Sequence, residues 1–270
     1  MPDAVDRGRP KLAWPAIVAA LVLGAWTTGP ARADESPIVA VASSVQFAME
    51  QIAETFRVET GASVRLTFGS SGNFSRQIRQ GAPFEMLVSA DEDYILDLAR
   101  DGFTRDEGSV YAVGRIVLIA ANGSPLRVDP ALDGLAAGLA DGSVGRFAIA
   151  NPEHAPYGRR AEEALRHRGL WDVVQPRLVL GENIAQAAQF AISGNAQGGI
   201  VAYSLAVSPK LADRASFALI PAEWHSPLRQ RMALLAAAGP VAERFYDHLR
   251  RPSAGEVFRK YGFSLPDGPG

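Results

Sequence analysis

The chain has 270 residues, 47% hydrophobic and 21% charged, a globular composition that excludes the disordered, collagenous and low-complexity classes. A single core is near its limit at this length, so two lobes of roughly 100 residues or more are expected. A formal net charge of −2 gives no electrostatic footprint for nucleic acid, and the absence of cysteine excludes a disulfide-stapled scaffold.

Residues 1–33 read as a cleavable signal peptide. Arg7, Arg9 and Lys11 precede an apolar run over 12–26, and Ala31-Arg32-Ala33 supplies small residues around a cleavage point. Pro15 interrupts the run, and what remains over 16–26 is shorter than the roughly 20 residues needed to span a bilayer. No cysteine follows to carry a lipid, so a soluble periplasmic protein starting near Asp34 is expected. Losing the leader removes four basic and two acidic residues and takes the formal charge to −4.

Residues 38–42 (IVAVA) are a short β-branched run, and from Val45 the apolar residues move to helical spacing at Met49, Ile52, Ala53 and Phe56. The switch recurs with a strand over 63–68, then Gly69-Ser70-Ser71-Gly72 and a short helix through Phe74 and Ile78. It recurs again with a strand over 85–88, then Ser89-Ala90-Asp91 and a helix carrying Ile95 and Leu98. This alternation predicts an α/β protein with mostly parallel sheets flanked by helices. The apolar strand over 115–121 runs into a Gly-, Pro- and Ala-rich stretch over 122–142, where a crossing between lobes is expected. Strand–helix units follow at 147–150 with 159–168 and at 177–180 with 184–193, then a strand over 199–203. A strand over 232–237 and helices over 241–249 and 254–261 complete the chain. The expected division is 34–114 and 206–270 for one lobe and 115–205 for the other, with hinges near Arg115 and Tyr203.

Ligands of open α/β sheets sit beyond the carboxyl ends of strands, where helix N-termini present free N–H groups. Hydroxyls and glycine occupy those junctions here: Ser43-Ser44, Ser70-Ser71-Gly72, residues 151–158 (NPEHAPYG), and Gly181-Glu182-Asn183-Ile184. Each alone is an ordinary cap or turn; the repetition at four junctions points to one cleft between lobes. No catalytic set accompanies them. His154, His167, His225 and His248 are scattered, His154 reading as a loop residue, and no zinc motif is present. Asp91-Glu92-Asp93 reads as an acidic first helical turn and not as a metal cluster. An exported hydrolase using Ser71 as nucleophile would need a base that the sequence does not show.

These pieces, in their order and spacing, resemble the molybdate-binding proteins of ABC transporters, which are type II periplasmic binding proteins. The resemblance rests on Ala42-Ser43-Ser44, on Phe68-Gly69-Ser70-Ser71-Gly72, on residues 81–85 (GAPFE) with Ser89-Ala90-Asp91, and on Ala150-Asn151-Pro152 with Ala155-Pro156-Tyr157-Gly158. It continues through Gly181-Glu182-Asn183-Ile184 with Gln186 and Gln189 to Tyr261-Gly262-Phe263, spanning nearly the whole mature chain. It implies a binding protein and not an enzyme, with no cofactor and no cationic metal ligand. It also implies molybdate or tungstate held by Ser43, Ser44, Ser71, Tyr157 and Ile184, Ser44 and Ser71 through hydroxyls and Tyr157 and Ile184 mainly through backbone N–H groups. A permease with its ATPase is the implied partner, and a monomer the implied state. Some relatives add a tyrosine hydroxyl where this chain has Ala202, with Tyr203 one step on. Sulfate or another small oxyanion is the alternative ligand. A cytoplasmic regulator of related fold would need a helix-turn-helix where this chain has its leader.

Overall fold

The computed structural model describes residues 36–266; the signal peptide expected over 1–33 lies outside the described residues. The first lobe opens with β1 (Ile38–Ala42), a single 3-10 turn (Ser43–Val45), α1 (Gln46–Thr60), β2 (Arg65–Gly69), α2 (Ser71–Arg79), β3 (Met86–Ser89), α3 (Glu92–Arg100) and β4 (Ser109–Gly114). The second holds β5 (Ile116–Ala121), α4 (Asp133–Ala140), β6 (Phe147–Ala150), α5 (Pro156–His167), α6 (Trp171–Val174), β7 (Leu178–Gly181), α7 (Ile184–Ile192), β8 (Gly198–Ala202), α8 (Tyr203–Ala206) and β9 (Ala215–Leu219). The chain then returns with β10 (Leu228–Leu234), α9 (Pro240–Leu249) and α10 (Pro252–Lys260).

Each lobe is built on a five-stranded sheet, β2-β1-β3-β10-β4 in the first and β7-β6-β8-β5-β9 in the second. The sheets are mostly parallel, as expected, with one reversed strand each. That strand is β10 in the first sheet and β5 in the second, antiparallel to both of its neighbours. Both reversed strands are the first that the chain lays down after crossing between lobes.

Side-chain alternation explains why the first sheet carries helices on both faces. Val39, Val41, Met86, Val88 and Met232 turn to the side of α1, α9 and α10, where Phe56 meets Phe245 edge-on at 5.2 Å. Ala40, Leu87 and Ala233 turn to the other, against Phe74 and Ile78 of α2 and Ile95 and Leu98 of α3. In the second lobe β6 and β8 are buried along their whole length, so they read as unbroken apolar runs.

One crossing falls at Arg115, where the expected lobe division places it, and the others differ from expectation. Residues 122–142 are not a passage between lobes: they contain α4, and Leu126, Leu132, Leu135 and Leu139 are buried in the second lobe's core. The first passage is Arg115 alone, between β4 and β5. The return does not begin at residue 206, because β9 pairs with β5 from Val117↔Leu219 to Ala121↔Ala215 and keeps the chain in the second sheet. It comes after Leu219 and before Leu228. Tyr203 starts α8 instead of ending a strand, and its N–H donates to the Arg115 carbonyl at 2.9 Å. Arg115 also donates from its guanidinium to the Ile220 carbonyl at 3.1 Å, so one residue ties both passages together.

Two buried histidines give the fold a pH dependence. Burial lowers His248, in the first lobe's core, with Arg251 adding to the effect, and burial lowers His225 near the return passage. Both are neutral in the folded and unfolded chain well above 6.5, the ordinary histidine value. As pH falls, the unfolded chain takes up protons that the folded one resists, so stability is lost from about 6.5 down through the folded pKa values. Urea unfolding is therefore expected to show a lower midpoint near pH 5.5 than near pH 7.5, with a smaller difference in His248→Phe. An unchanged difference would mean that other groups carry it.

Candidate functional site

The four junctions converge. A small cavity between the lobes is lined by Ser43, Ser44, Ser70, Ser71, Tyr157 and Ile184, with Ala42, Gly69, Ala90, Ala155 and Pro156 completing the wall. It is far smaller than the sites of drug-sized ligands and suits one small ion. All five residues singled out from the sequence are in it, and none of the lining residues is charged.

Local structure leaves donors aimed at this space. α2, α5 and α7 begin at Ser71, Pro156 and Ile184, so the positive ends of three helix dipoles face it, and the turn before α1 supplies Ser43 and Ser44. Asn183 caps α7 by accepting from Ala185 N and Gln186 N at 3.0 and 3.1 Å, which leaves the Ile184 N–H to the cavity. The α5 N-cap is Ala155, which has no side-chain acceptor. Among the described residues, no protein acceptor takes the backbone N–H of Ser71, Tyr157 or Ile184.

The hydroxyls divide into three kinds. Ser44 Oγ is buried with no hydrogen-bond partner. Ser71 Oγ accepts from Ala90 N at 2.9 Å and keeps its own proton to donate. Ser43, expected as a further ligand, spends its hydroxyl elsewhere: it donates to Asn183 Oδ1 at 3.1 Å and accepts from Ala185 N at 3.3 Å, clasping α7 across the lobes.

Tyr157 is fully buried. Tyr111 donates to Gln230 Oε1 at 2.7 Å, and Gln230 Nε2 donates to Tyr157 Oη at 2.8 Å. This relay leaves the Tyr157 O–H free to donate, with the Ser44 hydroxyl close beside it. Burial raises both phenols above the ordinary tyrosine value, so they stay neutral donors. Gln230 gave no signal in the sequence: it follows the ordinary alternation of β10, buried on the same side as Leu228 and Met232, and the register shift beside it leaves Tyr111 of β4 as the unpaired residue.

Charged groups stand at the rim. Asp91 and Arg160 pair across the lobes at 3.2 Å, both nearly buried, and Arg159 donates to Tyr94 beside them. Burial raises the Asp91 carboxyl above the usual range, with Arg160 opposing. Asp91 also caps α3, accepting from Asp93 N at 3.2 Å, in keeping with the reading of this run as an acidic first turn. His154 is not the open loop residue expected: it is 6% exposed, packed between lobes with Nδ1 3.0 Å from Ser70 Oγ. Tyr203 does not line the cavity. Among the described residues no group of three or more His, Cys, Asp or Glu is placed to hold a metal ion, and no helix is long and apolar enough to cross a membrane.

Comparison with known proteins agrees with this geometry. Residues 38–264 match the family model described as bacterial extracellular solute-binding protein. The chain is 37% identical over 247 residues to the molybdate-binding protein ModA of Rhodobacter capsulatus, covering 90% of this chain and 93% of the relative. It is 33% identical to the ModA of Escherichia coli strain K12, covering 93% and 98%. Among solved structures, the periplasmic molybdate-binding protein of Azotobacter vinelandii superposes with a TM-score of 0.78 at 30% identity, covering 86% of this chain and 100% of that one. These relatives are solute-binding proteins and not enzymes. The chain belongs to the bacterial extracellular solute-binding protein family.

Proposed function

We propose that this chain is a periplasmic binding protein that captures molybdate or tungstate between its lobes and delivers it to the permease of an ABC transporter. One observation carries the reading: unpartnered donors from four chain junctions meet in a small cavity whose lining holds no charged side chain. A fully deprotonated tetrahedral dianion needs only donors, and helix N-termini with serine hydroxyls supply them. Leaving out lysine and arginine avoids burying cations that would lack a partner in the unliganded state. A phosphate that retains a proton would find no carboxylate in the lining to accept it, only weaker hydroxyl acceptors. Ser44 and Ser71 act through hydroxyls, and Tyr157 and Ile184 through N–H groups. Ser43 shapes the cage by holding α7.

The names of the relatives support molybdate as the cargo, and the leader over 1–33 supports export followed by cleavage near Ala33. The molecule acts as a monomer and needs no cofactor. Calorimetry of the mature protein is expected to show one molybdate or tungstate per chain, with sulfate and phosphate far weaker because a cage sized for the larger anion stretches their hydrogen bonds. Equal affinity for sulfate would contradict the cargo assignment and leave the family intact.

Since donors come from both lobes, binding is expected to stabilise the closed arrangement about Arg115 and the return passage after Leu219. Small-angle scattering should give a smaller radius of gyration with molybdate than without. An unchanged profile with binding confirmed would mean that the site is closed beforehand.

A further inference from the structure

Direct contact with the anion does not require His154, yet its polar groups reach across the lobe boundary. Its carbonyl accepts the Gly72 N–H at 3.0 Å. Its Nδ1 lies 3.0 Å from Ser70 Oγ, and its Nε2 faces Glu182 Oε2 at 3.6 Å. Glu182 in turn accepts from Asn73 Nδ2. Ser70, Gly72 and Asn73 are thus all held from the second lobe, and Ser71 sits among them. Gly72 permits this approach because a Cβ there would fall 2.6 Å from the His154 carbonyl oxygen and 2.8 Å from Tyr94 Oη.

The carboxylate opposite Nε2 favours the ring proton there, which leaves Nδ1 to accept the Ser70 O–H. Ser70 is then committed to the histidine, while Ser71 keeps its proton for the cavity. His154 also stands three residues before Tyr157, in the loop that feeds the first turn of α5, so it couples a donor segment of each lobe.

We propose that His154 is a positioning residue that locks the first turn of α2 onto the second lobe and sets how long the loaded cage stays closed. The inference rests on the oxyanion reading of the cavity. The lock forms only when the lobes meet, so it governs escape of the anion and not its arrival.

Stopped-flow tryptophan fluorescence with molybdate, alongside calorimetry, tests this. His154→Ala is expected to speed dissociation about tenfold or more with association changed less than about twofold. His154→Asn, whose amide reaches the Nδ1 position, should restore most of the lifetime; His154→Gln, which reaches only toward Nε2, should not. Ser70→Ala removes the partner without touching the histidine and should match His154→Ala, with the double variant no faster than either. Unchanged dissociation in Ser70→Ala, additive effects in the double variant, or a loss confined to association would overturn the proposal. Absence of molybdate binding by the unaltered protein would remove the oxyanion reading itself, and this inference with it.

Discussion

Ser44→Ala is expected to weaken molybdate binding by one to two decades while leaving the unliganded protein at least as stable as the parent. The Ser44 hydroxyl is 2% exposed and makes no hydrogen bond of good geometry, with the Tyr157 hydroxyl beside it, so removing it deletes a poorly satisfied polar group. Its loss from the liganded state removes a hydrogen bond to a buried charge, worth about 1.5–3 kcal/mol. Ser71→Ala differs in an instructive way. Its hydroxyl already accepts from Ala90 N, so alanine strands that buried N–H and should lower stability by ~1–3 kcal/mol as well as affinity. Ile184→Val, which keeps the N–H, should cost little. Calorimetry and urea unfolding of the three variants separate these outcomes. A Ser44→Ala protein that binds as tightly as its parent would return that serine to an ordinary turn residue.

Gly158→Ala is expected to lower both properties, with the largest loss of affinity. Gly158 packs in the first turn of α5 against the end of β6, and an added methyl would fall inside the Ala150 carbonyl oxygen and 2.8 Å from its carbon. Those are backbone atoms with a strand behind them, so the helix must move. Overpacking of this kind costs about 1–3 kcal/mol, and a shift of even ~1 Å in α5 takes the Tyr157 N–H out of hydrogen-bond range. Affinity is expected to fall by about two decades or more, with a lowered unfolding midpoint. Gly145→Ala is the control: it is exposed, with nothing within 4 Å of the added carbon, and should be neutral or slightly stabilising. A Gly158→Ala protein with parental affinity would mean that α5 is not a fixed wall of the cage.

The site was legible because its chemistry is local. A hydroxyl or glycine at the end of a strand and the start of a helix is visible in a short window, and four such windows point to one cleft, within which the family resemblance singles out Ser43, Ser44, Ser71, Tyr157 and Ile184. What a window does not contain was missed. His154 looks like a loop residue until the opposite lobe covers it, and Ser43 looks like a ligand until Asn183, 140 residues away, claims its hydroxyl. Gln230 is a lone polar residue on the buried face of β10, and its partners Tyr111 and Tyr157 lie more than 70 residues away in the chain.

The fold shows the same division. Apolar runs such as β5 and β6 are buried along nearly their whole length and stand out in the sequence. β9 (ASFAL) is an edge strand with mixed exposure, paired to β5 alone, and its weak pattern misplaced the return to the first lobe. The stretch over 122–142 reads as a passage because glycine and alanine dilute the periodicity of α4, although its leucines enter the core.

Capture of the anion depends on where it sits and what holds it. Crystals of the mature protein grown with molybdate, measured at the molybdenum absorption edge, address this directly. The prediction is one anomalous peak per chain in the cavity, with anion oxygens in hydrogen-bond reach of Ser44 Oγ, Ser71 Oγ and the N–H groups of Tyr157 and Ile184. A peak elsewhere, or a cavity anion that leaves the Ser44 hydroxyl and the Ile184 N–H without a contact, would contradict it.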